Sequence, residues 1–551
     1  MDRDELHRRV TLLMEEFEAG RLKIARGLRL VESLKKVRYS PDGKVDPDSV
    51  DSDVRAAAGL VVELREREEL KAIPLGDIQS AYFEFLDRLF GKPFSEMKSR
   101  GLSPPDIAAV IASSDSTVDA FDLDAEDLVA SIREFWETYG PAVYAHVEDL
   151  DCLKSGYAGD IFPSYTSNIA CGVGLYMDTI ILPDPILKVA GAFSGRMRPK
   201  RVLYLTAKHA LNALTYRELA LADVEPPIIV VAPTRVQLEP WRFDLIKRSA
   251  DADLIKHCSA IFDRQFNDVD EIMTYLRSLS TPDELASAVA DPTRLLFDTE
   301  WSGPLSEQLR RYQDETLGDF SPDVIERIGA AGGPVYFSLI GRMLQINDAL
   351  FQCSQYRASP LIEAPTSWQY LLWKYEYDRE RSTELHPATP DVLISKALQA
   401  QGSDQLALIS NLPAGALVEL RQRGALAELR QMLRRGISEI DAAAPAALSE
   451  VTEAVTANIS DALSRHKEEL AGLSDSKRRY FGLDITPWIV TASVVIAAAS
   501  TGNVPLSIIA GAFGLAGVPS AKDLWNEGKD IISKGAELKR SPVGILFRHL
   551  G

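Results

Sequence analysis

Cysteine is scarce in this sequence. Four cysteines occur among 551 residues, at positions 152, 171, 258 and 353. No two of them have the spacing of a zinc finger or a redox motif, and four are too few for a disulfide framework in so long a chain. The N-terminal residues MDRDELHRRV are charged from the second position and contain no apolar run typical of a secretory signal. These absences predict a cytoplasmic protein.

Short motifs that carry a known chemistry are also missing. The chain has no GxxxxGK[ST] phosphate cradle, no GxGxxG fingerprint, no HExxH zinc motif and no GxSxG nucleophile elbow. These absences exclude P-loop NTPases, zincin proteases and the usual α/β-hydrolases. They leave the cofactor unknown, and they favour a protein without enzymatic activity.

Negative charge predominates, with a formal net charge of −19 at pH 7. The acids are concentrated in residues 103–160, which hold thirteen acidic residues against two basic ones, whereas residues 185–217 hold seven basic residues and no acid. Overall acidity disfavours a nucleic-acid partner, because neutralising a phosphate backbone requires clustered lysine and arginine. It leaves room for one local anion site in the basic segment.

The acidic stretch contains side chains of the types that ligate metals, namely His146, Glu148, Asp149 and Asp151. The whole stretch is acidic, which is more typical of a solvated face than of a metal site. We therefore predict no metal site.

The basic segment includes the loop GAFSGRMRPKR (191–201), which has two glycines and four cations. Backbone amides of such a loop, together with arginine side chains, suit phosphate or polyanion recognition. The candidate anion-binding residues are Arg196, Arg198, Lys200 and Arg201. The alternative is that this surface docks on the acidic stretch 103–160 of the same molecule.

Hydrophobic patterning predicts a mixed α/β protein that is predominantly helical. We expect an N-terminal helical domain (1–98), an acidic helical segment (99–160), an α/β core (161–300) and a helical domain (301–484). A hydrophobic helical hairpin with a C-terminal tail (485–551) follows. In the first domain, helices are expected at 4–37, 54–72 and 77–90, the last ending near Gly91 and Pro93.

Three short apolar runs in the predicted core indicate buried strands. They are VGLYMDTIIL (173–182), RVLYL (201–205) and PIIVVAP (227–233), rich in β-branched and aromatic residues. The residues between the last two have helical periodicity. Strand, helix and strand at this spacing predict a βαβ unit and hence a parallel sheet.

Two aspartates near the first of these strands are the candidate catalytic residues. Asp178 interrupts the apolar run, and Asp184 stands between two prolines just past its end. A carboxylate at the carboxyl end of an α/β sheet is well placed for function. The alternative is a turn-forming Asp-Pro and one strand residue that faces water.

The stretch that begins GLYMDTIILPDPIL (174–187) and continues to PIIVVAP (227–233) resembles a pattern in uncharacterised bacterial proteins. In that pattern a strand with tyrosine, aspartate and a terminal proline precedes a helix and a second apolar strand ending in proline. The resemblance covers about 60 residues around 174–233. It implies a bacterial protein associated with phage-defence or mobile islands, and it implies no activity.

Residues 485–521 contain no charged side chain. Their two Ala/Gly-rich halves, joined by TGNVP, predict a helical hairpin over 485–518. A buried hairpin is favoured because each half is too short to cross a bilayer core of about 30 Å. The alternative is a membrane-active, pore-forming-like hairpin anchored from Trp488 to Trp525.

Together these features predict a non-enzymatic interaction or effector component of a bacterial intracellular system, such as antiviral defence. We expect a protein partner or self-association. A membrane-active effector that uses the 485–518 hairpin is one alternative. A nucleotide- or nucleic-acid-processing enzyme that uses Asp178, Asp184 and the basic loop is the other.

Overall fold

The computed structural model describes residues 2–22, 29–166, 168–193, 195–297, 301–328, 332–385, 404–409 and 412–442, together with short stretches between 454 and 503. Helices dominate these residues, and strands are few and short. The predicted fold class, mixed α/β and predominantly helical, is confirmed.

The helices, in chain order, are α1 (Arg3–Glu18), α2 (Leu30–Leu34), α3 (Ser52–Leu70), α4 (Leu75–Arg100), α5 (Pro104–Ser113), α6 (Asp115–Asp149), α7 (Ile169–Val173), α8 (Pro185–Phe193), α9 (Pro199–Leu214), α10 (Arg217–Ala220), α11 (Arg235–Leu238), α12 (Phe243–Phe262), α13 (Val269–Ser278), α14 (Pro282–Ala288), α15 (Leu305–Leu317), α16 (Pro322–Ile328), α17 (Gly332–Tyr356), α18 (Pro365–Leu385), α19 (Ala414–Gln422) and α20 (Ala427–Ala442). Short 3₁₀ helices lie at Pro47–Ser49, Pro240–Arg242 and Pro292–Arg294. The strands are β1 (Lys154–Tyr157), β2 (Thr179–Pro183), β3 (Ile229–Ala232), β4 (Ser359–Leu361), β5 (Asp404–Ile409), β6 (Arg479–Tyr480), β7 (Leu483–Asp484), β8 (Ile489–Ala497) and β9 (Thr501–Asn503).

A four-stranded parallel sheet has the strand order β3-β2-β1-β4. Gly156 of β1 lies between Ile181 of β2 and Pro360 of β4, which fixes the register at the centre of the sheet. All residues of these four strands are buried. Continuous burial is typical of parallel strands that are covered on both faces.

Two of the three predicted strands exist and one prediction is wrong. β2 covers the end of the apolar run 173–182 and extends to Pro183, and β3 lies within the run 227–233. The run 201–205 belongs to helix α9, in which Leu203, Ala207 and Leu211 are buried at helical spacing. The sheet also extends beyond the predicted core of 161–300, because β1 precedes that range and β4 follows it.

Helix α17 is the central packing element of the sheet region. Its C-terminal part packs on β1, where a Cβ on Gly156 would come within 2.9 Å of the Cys353 sulfur. Its middle part buries Leu339, Met343 and Ile346 in a cluster shared with α12, α13 and α18. Each such side chain contributes about 1.5–3 kcal/mol when it is buried. α17 is therefore held rigidly beside β1 and β4.

By its internal contacts the chain divides into two compact units, Met1–Leu75 with Pro141–His146, and Gly76–Gly140 with Val147–Gly551. In the first unit, α1 packs on α3 through Leu6, Val10 and Leu13. Between α2 and α3, residues 35–51 contain only the isolated bridge between Tyr39 and Val45 and the 3₁₀ turn Pro47–Ser49 as regular structure.

Helix α4 belongs to the second unit, and it does not end where the sequence predicted. It passes through Gly91 and Pro93, which is buried, and continues to Arg100. The next helix, α5, begins at a capping box formed by Ser103 and Asp106. α5 then packs against α9 in the second unit.

The predicted C-terminal helical hairpin is wrong wherever the structure describes it. Residues 489–497 form strand β8, which pairs antiparallel with β5 and with β9. Residues 504–518, Trp488 and Trp525 lie outside the described residues. In the part of the chain that the structure describes, no helix combines the length and the apolar character needed to cross a membrane.

Candidate functional site

The strand order places a topological switch point between β1 and β4. From β1 the chain proceeds to β2 and β3 on one side, and β4 is added on the other side. In open parallel sheets, ligands bind in the crevice outside the carboxyl ends of the strands at such a point. A cleft of about 580 Å³ lies there. This volume is within the ~300–1,000 Å³ typical of small-molecule sites.

Three elements line this switch-point cleft. Gly159 and Asp160 follow β1, and residues 364–367 follow β4 and begin α18. Ser338, Gly341 and the neighbouring Arg342 lie on one face of α17, because residues three and four apart are stacked along a helix. The cleft is thus built on a helix that packs against both the sheet and the neighbouring helices.

Gly159 joins the end of β1 to the start of α18. Its backbone has φ +87°, and its carbonyl accepts a 2.6 Å hydrogen bond from the Ser367 hydroxyl. A Cβ at this position would lie 2.7 Å from the Ser367 Cβ. Only glycine fits both the left-handed conformation and the close approach. The part of the cleft lined by Gly159 and Ser367 is therefore fixed in position.

The N-terminus of α18 offers hydrogen-bond donors to the cleft. The first α-helical bond runs from the Trp368 amide to the Ala364 carbonyl at 3.0 Å. Among the described residues, the amides of Thr366 and Ser367 have no acceptor, and neither does the Thr366 hydroxyl. Thr366 is only 8% exposed and lines the cleft. Unpaired amides at a helix N-terminus, with the helix dipole, attract anions.

Arg342 supplies a full positive charge to the same cleft. Its guanidinium donates to the Phe297 carbonyl at 3.0 Å and lies 5.5 Å from the centre of the Tyr370 ring. Within the described residues it forms no ion pair with a carboxylate. A half-buried guanidinium that is oriented by a carbonyl and a ring keeps donors available for an anionic ligand.

The neighbouring helix α8 shows how the protein caps a helix itself. Asp184, at the carboxyl end of β2 as predicted, is fully buried and accepts from the Leu187 amide at 2.8 Å. Its other oxygen accepts from the Trp136 indole at 2.7 Å. Burial raises the pKa of Asp184 to about 6, against the opposing effect of these hydrogen bonds. The contacts are those of a structural helix cap, and the catalytic role of Asp184 stays a prediction.

Asp178 lies at the opposite end of the sheet from the position expected for a catalytic carboxylate. It immediately precedes β2, at the amino end of the strands. It accepts from the Leu153 amide at 2.9 Å and from Arg430 Nε at 2.6 Å. The nearby Arg421, whose pKa is lowered to about 10 by burial, donates to the carbonyls of residues 174, 177 and 178. Asp178 thus holds α19 and α20 against the sheet.

Two arginines of the basic loop bond to residues outside the acidic stretch 103–160, on which the loop docks in the alternative interpretation. Arg201 forms an ion pair with Asp319 at 3.0 Å, and Arg198 Nε donates to the Phe320 carbonyl. Arg196 and Lys200 are exposed. Although α5 of the acidic stretch packs on α9, the α5 residues buried there are apolar. The anion-binding role of the loop stays a prediction.

The acidic side chains considered as metal ligands have other partners. Glu148 pairs with Arg235, and Asp151 pairs with Arg434. His146 contacts the carbonyl of Ile73 at 2.8 Å. Within the described ranges, no group of three or more His, Cys, Asp or Glu side chains is arranged to hold a metal ion.

No residue of the switch-point cleft was predicted from the sequence. One local signal was present, because the tripeptide Ala-Pro-Thr occurs at 232–234 and again at 364–366. A short strand ends at the first residue of one copy (β3 at Ala232) and three residues before the other (β4 at Leu361), and a helix begins directly after the first copy and within the second. Proline at a first helical position is a recognised start signal. The second occurrence marks the N-terminus of α18.

No family of known proteins, no curated protein and no solved structure matches this chain. Fold and cleft together define an α/β protein with a cleft at a topological switch point. The assignment of a ligand therefore depends on the chemistry of the cleft.

Proposed function

We propose that this protein is a ligand-binding component that takes up an anionic small molecule in the switch-point cleft. One observation carries the proposal. The amides of Thr366 and Ser367, the Thr366 hydroxyl and the Arg342 guanidinium all border one cleft, and none is paired with a carboxylate among the described residues. A phosphate or carboxylate group has the charge and the acceptors that these donors require.

Recognition accounts for the cleft better than catalysis does. The described residues that line it include no histidine, cysteine or lysine, and Asp160 is the carboxylate among them. Nucleophilic catalysis requires a nucleophile beside a base, and acid–base catalysis requires a group that titrates near neutral pH. The cleft instead offers hydrogen-bond donors in a concave surface. The proposal therefore keeps the role of an interaction or effector component and gives it a ligand.

The cellular system in which the protein acts is also part of the proposal. A bacterial intracellular system, such as antiviral defence, is suggested by the sequence resemblance around 174–233. Effectors of such systems must respond to a trigger, and a cleft that binds a small anion is a suitable receiver. Ligand binding that stabilises one conformation is the physical basis of such a response.

Isothermal titration calorimetry with pyrophosphate and ribose 5-phosphate tests the proposal. We expect saturable binding to the full-length protein. Arg342→Gln should weaken it about tenfold to a hundredfold, as is typical for hydrogen bonds to a charged group. Wild-type protein that binds neither compound, nor any nucleotide, at millimolar concentration contradicts the proposal.

Gly341→Leu gives a sharper test, because nothing lies within 4 Å of a Cβ at this helical position. The leucine should fill the cleft without a clash and should abolish binding. Replacing a helical glycine also stabilises a helix by up to about 1 kcal/mol, so the melting temperature should not fall. Gly191→Leu in α8 is the matched control, since that site is equally open and lies outside the cleft. Unchanged binding by Gly341→Leu places the ligand elsewhere.

A further inference from the structure

An aromatic ring stands exposed at the side of the switch-point cleft. Phe337 of α17 is 44% exposed although it is large and apolar, and it lines the cleft. Its neighbour Tyr336 packs edge-on against it, with ring centroids 5.5 Å apart. A ligand that covers this ring removes apolar surface from water, which favours binding. The free face of this ring therefore suits a flat, apolar group of the ligand.

The spacing along α17 fits a ligand with an aromatic end and an anionic end. Phe337 and Arg342 are five residues apart, which is about 7.5 Å along the helix axis. Gly341 lies between them and leaves open space where other residues have a side chain. A pentose that joins a base to a phosphate has dimensions of this order.

Asp160 adds a negatively charged hydrogen-bond acceptor to the lining of the cleft. One oxygen of this exposed carboxylate accepts from the Ile161 amide at 2.6 Å, and among the described residues the other oxygen accepts no hydrogen bond. A carboxylate repels a phosphate and accepts hydrogen bonds from hydroxyl or amino groups. The cleft thus combines anion donors, an aromatic face and an acceptor for hydroxyl groups.

We infer that the ligand of the switch-point cleft is a nucleoside phosphate. Its base stacks on Phe337, its phosphate binds Arg342 and the N-terminus of α18, and its sugar hydroxyls face Asp160. This inference rests on the proposed function and adds the ligand class. A mononucleotide is favoured over a nucleic-acid strand, because a net charge of −19 opposes a polymer of phosphates.

Calorimetry with ADP, pyrophosphate and ribose 5-phosphate separates the base from the phosphate. ADP should bind at least tenfold more tightly than either base-free compound. Phe337→Leu should weaken ADP binding about fivefold to a hundredfold, the range for loss of one stacked base. It should leave pyrophosphate binding unchanged, and Phe337→Trp should restore ADP binding.

Phe243→Leu is the matched control, because Phe243 is exposed to a similar extent (41%) at the start of α12 and outside the cleft. It should not alter ADP binding. Equal affinities for ADP and pyrophosphate, both insensitive to Phe337→Leu, overturn the nucleotide assignment and leave the anion site intact. Failure of all three compounds to bind overturns the proposed function with it. Tighter binding of a single-stranded oligonucleotide than of ADP assigns the cleft to nucleic acid instead.

Discussion

The Ser367 hydroxyl donates a 2.6 Å hydrogen bond to the carbonyl of Gly159, and the two residues are so close that a Cβ on Gly159 would lie 2.7 Å from the Ser367 Cβ. They are 208 residues apart in sequence and join the carboxyl end of β1 to the first turn of α18. The bond orients the helix N-terminus toward the switch-point cleft. A buried hydroxyl bonded to a buried carbonyl is costly to break.

Gly159→Ala should destabilise the protein by more than the cost of placing alanine in a left-handed backbone conformation. The φ of +87° and the contact with Ser367 both oppose the new methyl group. Gly424→Ala is the control, because Gly424 has φ +77° and nothing within 4 Å of its Cβ position. We expect the control to lose about 1–2 kcal/mol of unfolding free energy and Gly159→Ala to lose clearly more. Equal losses in denaturant titration contradict the packing argument.

Asp184 should make stability depend on pH. Burial raises its pKa from 3.8 to about 6. The folded protein then holds a proton between these values that the unfolded chain has lost, so the contribution of Asp184 is full below about pH 4 and disappears as pH rises through about 6. Two pH units correspond to about 3 kcal/mol.

The measurement is the difference in unfolding free energy between wild type and Asp184→Asn from pH 4 to pH 7. Other carboxylates contribute to both proteins and cancel in the difference. We expect the difference to shift in favour of the variant as pH rises. A difference that is constant with pH shows that Asp184 titrates normally in the folded protein.

Only part of this fold is encoded in local sequence patterns. β3 was predictable because PIIVVAP is a run of β-branched residues ended by proline. β1 was not, because Lys-Ser-Gly-Tyr has the composition of a loop. Its burial comes from β2, β4 and α17, which are distant in sequence. The strand prediction for 201–205 was wrong for a different reason, since five apolar or basic residues fit a helix and a strand equally well.

The cleft residues could not be predicted from the sequence for the same physical reason. Its residues come from the ends of β1 and β4 and from the face of α17, so no single segment contains the site. Asp184 and Asp178 attracted notice because they stand beside an apolar strand. Both turned out to be bonded to other parts of the chain. The carboxylates that are conspicuous in the sequence thus have partners within the fold, whereas the free donors are mostly backbone amides, which no sequence motif marks.

Asp178→Asn should cost stability and spare ligand binding. Asp178 is the carboxylate partner of Arg430, whose side chain is only 6% exposed. Removing the negative charge leaves a buried guanidinium without its counter-ion, at a cost of about 3 kcal/mol. Pyrophosphate binding at the opposite end of the sheet should be unchanged. The double variant with Arg430→Gln should recover part of the loss, and strict additivity of the two changes contradicts a direct pairing.

A buried charged cluster joins α12, α17 and α18. Asp253 is fully buried and accepts from Asn347 at 2.8 Å and from Arg381 at 2.5 Å, with the Lys374 ammonium at 3.2 Å. Asp253→Asn removes the shared counter-charge of two cations. Breaking a buried ion pair from one side costs about 3–5 kcal/mol.

Because Asn347 is on α17 and Lys374 is on α18, this cluster also fixes the distance between the two helices that form the switch-point cleft. Asp253→Asn should therefore weaken pyrophosphate binding even under conditions in which the variant is folded. Asp251→Asn is the matched control, since Asp251 lies on the same helix and pairs with Lys247, whose side chain is 49% exposed. We expect the control to lose less than about 1 kcal/mol, as exposed pairs do, and to bind normally. An Asp253→Asn variant that is destabilised but binds pyrophosphate with wild-type affinity would show that the cluster stabilises the helices without setting the geometry of the cleft.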